Sequence, residues 1–238
     1  MARAFALYAA HPASLAGMLL LATVPPAFAA DEFSFSYLEA GYSIDSTIEA
    51  FGQSYDSDDS YRIDASYQFN RHIFTTARYF SAGYDFERDA DFGYSGYSLG
   101  VGYTGRISHA ESMPVDWFAV LSYEYSDTHS QLHDVNYDES RDGVGLKAGI
   151  RAAVTNRLEL MVNAYEQSYG NDSLLLNGDL DGLSFELGGV LELRPNWDLT
   201  ASYRTGELDY LTLPNYPSKY KLELDRDEVF VGVRWTFE

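Results

Sequence analysis

The chain has 238 residues, no cysteine and a formal net charge of −20, with 16 Lys and Arg against 36 Asp and Glu. The missing cysteines exclude a disulfide framework, a cysteine-based metal site and a thiol nucleophile, and a charge this negative excludes a nucleic-acid surface, which needs clustered Lys and Arg to neutralise phosphates. With 20 Tyr, 14 Phe and 19 Gly, the composition favours strands over helices.

In chain order, residues 1–29 come first and read as a secretory signal. Arg3 gives the positive start, 15–24 is a short apolar core, and Ala27-Phe28-Ala29 is a small-x-small cleavage site. The mature barrel domain is then expected at 30–238. A membrane helix needs roughly 20 apolar residues, and no later segment approaches that length. A mature chain that enters a membrane must therefore cross it as strands.

From residue 30 onward, alternate positions divide into apolar and polar faces in ten successive segments. The first sets Leu38, Ala40, Tyr42 and Ile44 against Tyr37, Glu39, Gly41 and Ser43. The second sets Tyr61, Ile63, Ala65, Tyr67 and Phe69 against Arg62, Asp64, Ser66 and Gln68. The third, 73–80, alternates less cleanly. The fourth opposes Leu99, Val101 and Tyr103 to Gly100, Gly102 and Thr104, and the fifth opposes Trp117, Ala119, Leu121, Tyr123 and Tyr125 to a face with Ser122 and Glu124. In the sixth and seventh, Val144, Leu146, Ala148 and Ile150, then Leu158, Leu160 and Val162, form the apolar rows. The eighth does the same with Leu183, Phe185, Leu187, Leu191 and Leu193, the ninth with Trp197, Leu199, Ala201 and Tyr203, and the tenth with Val229, Val231, Val233, Trp235 and Phe237.

The links between segments alternate in length. Long ones at about 45–60, 85–94, 127–142, 170–182 and 206–227 are interleaved with shorter ones at about 70–72, 105–114, 153–157 and 194–196. Acids such as Asp56, Asp58, Asp59, Asp89, Asp91, Asp138, Glu139, Glu223, Asp225 and Asp227 crowd the long links, whereas the short ones carry Arg71, Arg106, Arg157 and Arg194. Trp117, Trp197 and Trp235 all fall at the short-turn ends of their segments, where an interfacial aromatic belt would place them. Transmembrane barrels of the Gram-negative outer membrane have this asymmetry of short periplasmic turns and longer extracellular loops. The expected fold is all-β: a ten-stranded antiparallel transmembrane β-barrel, with eight to twelve strands compatible with the pattern, short periplasmic turns and long acidic extracellular loops.

The closing stretch Gly232-Val233-Arg234-Trp235-Thr236-Phe237 fits Gly-x-x-aromatic-x-aromatic. It resembles the C-terminal signal read by the bacterial barrel-assembly machinery, which implies Gly232, Trp235 and Phe237 as signal residues and that machinery as a partner during insertion. Glu238 follows where a terminal Phe is usual. The mature chain as a whole resembles the small ten-stranded, porin-like outer-membrane barrel family of xanthomonad-type gammaproteobacteria. The likeness rests on Tyr37-Leu38-Glu39-Ala40-Gly41-Tyr42, Leu99-Gly100-Val101-Gly102-Tyr103, Val229-Phe230-Val231-Gly232-Val233-Arg234 and the Asn196-Trp197 turn. These residues define a fold and a location; shared fold does not imply shared function.

In such a barrel the polar faces line a lumen. The expected charge network is Glu39, Arg62, Asp64, Arg78, Glu124, Lys147, Arg151, Glu186, Arg204 and Arg234, with Asp116, Glu159, Glu192 and Asp198 beside it. Ten strands lie just above the roughly eight whose interior side chains fill, so two readings stand: a paired ionic network that closes the lumen, or a narrow, weakly selective pore. Gly100, Gly102, Gly145 and Gly149 on the inner face leave room for Arg and Tyr side chains from opposing strands. For catalysis the candidates are Asp127, His129, His133 and Asp134 in the 127–142 loop, which would make a rim enzyme, a protease or a lipid hydrolase; His72 and His109 lie in the opposite turns. The run Asp56-Ser57-Asp58-Asp59 reads either as solvated acidic surface or as a site for divalent cations bridging lipopolysaccharide phosphates. Tyr94, Tyr137, Tyr210, Tyr216 and Tyr220 suit adhesion or partner contact. No cofactor, no metal site and no enzymatic activity are expected. The functional expectation is a structural or surface-interaction role in contact with lipid and lipopolysaccharide, or a narrow porin-like channel, with the rim enzyme as the alternative.

Overall fold

The computed structural model describes residues 33–50, 53–86, 90–108, 113–132, 135–170, 178–210 and 222–237. Among them ten strands follow one another: β1 (Tyr37–Ala50), β2 (Gln53–Gln68), β3 (Ile73–Phe86), β4 (Ala90–Ser108), β5 (Val115–Leu132), β6 (Val135–Thr155), β7 (Leu158–Gly170), β8 (Gly178–Arg194), β9 (Trp197–Tyr210) and β10 (Leu222–Thr236). Each pairs antiparallel with its chain neighbours, and β1 pairs with β10 from Tyr37↔Thr236 onward, which closes the barrel. Closure gives every strand two partners, so no edge amides face lipid. Among the described residues no helix is long and apolar enough to cross a membrane, a statement that does not bear on strands.

Side-chain polarity is inverted relative to a soluble protein. Leu99, Leu121 and Leu187 on the outer face are 52, 64 and 56% exposed, whereas Glu39, Arg62 and Glu124 on the inner face are 3, 5 and 1% exposed. An apolar surface running round the whole barrel is untenable in water and is what lipid requires. The third segment alternates poorly. The inner face of β3 carries Phe74, Phe80, Ala82 and Tyr84 beside Thr76 and Arg78, and its outer row includes Thr75 and Ser81, so both faces are mixed and the contrast is lost.

Two aromatic belts bound the apolar zone. At the short-turn end Trp117, Trp197 and Trp235 point outward, with Tyr103 packed 5.7 Å from Trp117 and Phe237 5.2 Å from Trp235 between ring centroids. At the other end a tyrosine belt runs through Tyr42, Tyr61, Tyr79, Tyr97 and Tyr125. The register pairs Tyr42↔Tyr61, Tyr79↔Tyr97 and Tyr97↔Tyr125, and the last two rings stack at 5.0 Å.

The long links differ from expectation. A strand needs about 9–11 residues to cross a bilayer, yet the strands here run from 13 to 21 residues. Pairing persists to Ala50↔Gln53, Phe86↔Ala90 and Leu132↔Val135, so the acid-rich stretches at 45–60, 85–94 and 127–142 are largely ladder rather than loop. Beyond the lipid the outward row meets water and turns polar, as at Asp45 and Asp127, while the inward row still holds buried Tyr84 and Tyr94. Polarity alternation then disappears from the sequence while backbone amides still need partners. The remaining links at 171–177 and 211–221 lie outside the described residues.

The short turns are fixed by side chains that accept backbone amides. Asn70 Oδ1 takes the amides of His72 and Ile73 at 2.8 and 2.9 Å, and Thr155 Oγ1 takes those of Arg157 and Leu158 at 3.2 and 3.0 Å. At Pro195-Asn196, Asn196 has φ 68°. Pro before a left-handed Asn is the sequence of a type II turn.

A closed lumen as the candidate functional site

The inner side chains meet because the register puts opposite charges across from one another. Glu39 faces Arg234, Asp64 faces Arg78 and Glu186 faces Arg204 on adjacent strands. From these pairs the network extends across the lumen. Glu186 on β8 accepts from Arg62 Nη1 and Arg204 Nη2 at 3.4 Å each and from Asn163 Nδ2 at 3.3 Å, and it faces Lys147 Nζ at 3.7 Å. Asp64 lies 2.8 Å from Arg62 Nε and 2.5 Å from Arg78 Nε. Arg234 holds Glu39 through Nη2 and Nε at 2.8 and 2.9 Å. Higher up, Glu228 joins Arg226 at 3.2 Å and Arg204 at 4.0 Å, and accepts from the Ser43 hydroxyl. The Arg62 guanidinium also sits 3.8 Å from the Phe230 ring centroid.

Arg62, Arg78, Lys147, Arg204 and Arg234 of the expected set are thus drawn together with Glu39, Asp64 and Glu186. Arg151 belongs instead to the short-turn end, paired with Glu159, near the Arg106–Asp116 pair. Glu124 stands beside the network, engaged by the hydroxyls of Ser122 and Tyr165. Glu228 and Arg226 were missed, because the tenth segment starts at Val229 on its apolar row. Extending its inward row backward from Phe230 by two and four positions would have found both.

Below the network the lumen is closed by carbon. Residues 33–36 precede β1 and enter the barrel, where Phe33 and Phe35 are 8 and 5% exposed. The Phe35 ring stacks on Phe74 at 4.2 Å and meets Phe118 edge-on at 6.0 Å, with Val120 and Met161 packed around them. The Arg151 guanidinium lies 4.6 Å from the Phe35 centroid and donates to the Ser34 carbonyl at 3.2 Å. The Phe35 amide donates to Gln68 Oε1 at 3.1 Å, and the Phe237 amide donates to the Ser36 carbonyl at 3.1 Å. The inner-face glycines serve this plug. The Phe74 ring covers Gly102, and a Cβ on Gly149 would stand 2.6 Å from Phe118 Cζ. The expectation that Arg and Tyr fill these spaces is therefore corrected at Gly102 and Gly149 in favour of Phe, and at Gly100 in favour of Thr76 and Val120. Only Gly145, against Ser122, Glu124 and Tyr165, makes room for a tyrosine.

Between plug and network lies a cavity of about 90 Å³, bounded by Phe35, Phe74, Arg62, Arg78, Lys147 and Glu186 among others. That is room for a few waters. Toward the other end Tyr84, Tyr169 and Phe230 are almost wholly buried.

The rim candidates do not converge on the lumen. His129 and Asp127 lie on the outward row of β5, and His129 Nδ1 contacts Asp138, its cross-strand partner on β6. His133 and Asp134 lie outside the described residues, as does His109; His72 is at the opposite end, stacked 5.4 Å from Tyr103. Among the described residues no three His, Asp or Glu side chains gather as a metal site would need. Tyr94 is corrected from a surface residue to a lumen residue, 9% exposed and 4.9 Å from Phe80. In the acidic run, Asp56 and Asp59 are exposed on β2. The residues of the closing signal stand at the short-turn end, with Gly232 facing inward against Phe230 and Thr200, and Trp235 outward.

A family model described as outer membrane protein beta-barrel domain matches residues 14–181. The chain belongs to this outer-membrane barrel family. Its place is the outer membrane, which it crosses as strands. Among solved structures the barrel is similar to Neisserial surface protein A, at 16% identity over 87% of this chain and 100% of the other, with a TM-score of 0.46. It is also similar to Ail, the attachment invasion locus protein of Yersinia pestis, at 14% identity over 84 and 97% with a TM-score of 0.40. The transport unit of the autotransporter AIDA-I from Escherichia coli matches at 10% identity over 94 and 98% with a TM-score of 0.47. The comparison with curated proteins yields no match.

Proposed function

We propose that this outer-membrane barrel is closed to solutes and acts through its outer surface, as a structural or surface-interaction protein. The observation behind this reading is the double closure of the lumen: an ion network anchored on seven strands above, an aromatic plug below, and about 90 Å³ between them. The surface that remains for contact is the acid-bearing strand extensions, with Asp45, Asp56, Asp59 and Asp127 exposed. Lipopolysaccharide, reached through divalent cations held by these carboxylates, is the partner this chemistry suits, and the barrel-assembly machinery is the partner during insertion. Residues 1–29 remain the proposed export signal and 30–238 the mature barrel; both the signal and the cleavage point lie outside the described residues. The narrower likeness to xanthomonad-type barrels rests on the sequence stretches quoted above.

Planar-bilayer recording of the purified, refolded protein tests closure. A quiet membrane is expected, and regular single-channel steps of constant size would replace this reading with the narrow porin-like channel. A rim hydrolase is the rival of another class, supported by the contact that orients His129 against Asp138. Hydrolysis of a peptide or lipid substrate that His129→Ala abolishes would establish it instead.

A further inference from the structure

The cavity between network and plug has a charge imbalance that the closed-barrel reading does not explain. Its basic lining groups are Arg62, Arg78, Lys147, Arg151 and Arg234, against Glu39, Asp64, Glu159 and Glu186. The guanidinium groups are taken up in close pairs, at 2.8 Å for Arg62 with Asp64 and 2.8 Å for Arg234 with Glu39. Lys147 is different. Its ammonium has Glu186 as ion-pair partner at 3.7 Å, beyond hydrogen-bond reach, and Glu186 is already engaged by Arg62, Arg204 and Asn163. Its side chain is 18% exposed, and the space it borders is the cavity. An ammonium carries three donors, and an uncompensated charge in so enclosed a space is costly.

We propose that this cavity is a binding site for a small inorganic anion of halide size, held by Lys147 and the excess positive charge around it. Volume sets the class, since about 90 Å³ suits a halide with a few waters better than a bulky organic carboxylate such as gluconate. The site goes beyond the function proposed above and does not depend on it, since a barrel that conducts could hold the same ion.

The probe is sodium bromide, added to the full-length detergent-solubilised protein, with sodium gluconate at equal ionic strength as control. Bromide is expected to raise the unfolding temperature saturably above the gluconate value, and bromide-soaked crystals are expected to show an anomalous peak beside Lys147 Nζ. In Lys147→Met the bromide concentration giving half the effect should rise by about tenfold or more and the peak should vanish. Lys147→Arg keeps the charge and should retain the effect, which covers the case in which the Met variant fails to fold. Equal melting in the two salts, or a bromide effect of the same size in Lys147→Met, would overturn the proposal.

Discussion

At the scale of single residues, Glu186 matters most, because three basic side chains and an amide converge on it. Glu186→Gln keeps the shape and removes the charge, which leaves Arg62, Arg204 and Lys147 facing one another in a buried space. Breaking a buried ion pair by removing one partner costs about 3–5 kcal/mol. Urea unfolding in lipid vesicles, followed by tryptophan fluorescence, should show a loss of that order; a loss below about 1 kcal/mol, the range of exposed pairs, would mean that water screens the network. Gly102 makes a second, opposite case. A methyl there would meet the Phe74 ring, so Gly102→Ala should destabilise by about 1–3 kcal/mol, the usual effect of overpacking. The same alanine placed on Phe74→Leu should cost less than the sum of the two single changes, because the obstructing ring is gone.

Between residues and the whole barrel stand the elements, and of these the segment Phe33 to Ser36 was least legible in the sequence. Its Phe-Ser-Phe-Ser alternation looks like the start of the first strand, and nothing local to it says that both rings turn into the lumen. Only the closed cylinder brings Phe74, Phe118, Val120 and Met161 into reach. Strand interiors were legible because lipid on one side and a polar lumen on the other impose period two, as in Leu183 to Leu193. The same signal failed at 127–142, where the outward row beyond the lipid is polar and the contrast is lost although His129 still pairs with Asp138. The lumen charges were legible as a set but not as partners, since Arg62 reaches Glu186 from 124 positions away. The plug makes its own prediction. Because the chain has no cysteine, Met161→Cys places one thiol behind Phe35, and a small water-soluble alkylating reagent should modify it slowly. Adding Phe35→Ala should raise that rate by at least about tenfold, and it should lower stability by about 3–5 kcal/mol, as Phe truncation in a core does. An unchanged rate would show that the plug does not guard the lumen.

For the whole molecule, the two aromatic belts measure the membrane it fits. On β5, Trp117 and Tyr125 are the outward residues at the two belts, and Tyr61 on β2 and Phe69 just past its end stand at the same separation. Eight residues at about 3.3 Å each span roughly 26 Å along the strand, and a tilt near 40° shortens this to about 20 Å along the membrane normal. A typical hydrocarbon core is about 30 Å thick, and tilting offers no relief, because it only shortens an apolar band along the membrane normal. Mismatch must therefore be met by thinning the bilayer, at a cost of fractions of a kcal/mol per Å. Refolding from urea should accordingly be most complete in vesicles of 10- to 12-carbon phosphatidylcholine and fall off toward 18-carbon chains, scored by the heat-modifiable mobility of the folded barrel in electrophoresis. Moving the outer belt outward by exchanging Tyr97 and Tyr125 for Leu should shift the optimum toward longer chains, since the apolar band then extends into the strand extensions. An optimum at 18 carbons in the unaltered protein would show that the tyrosines do not mark the boundary.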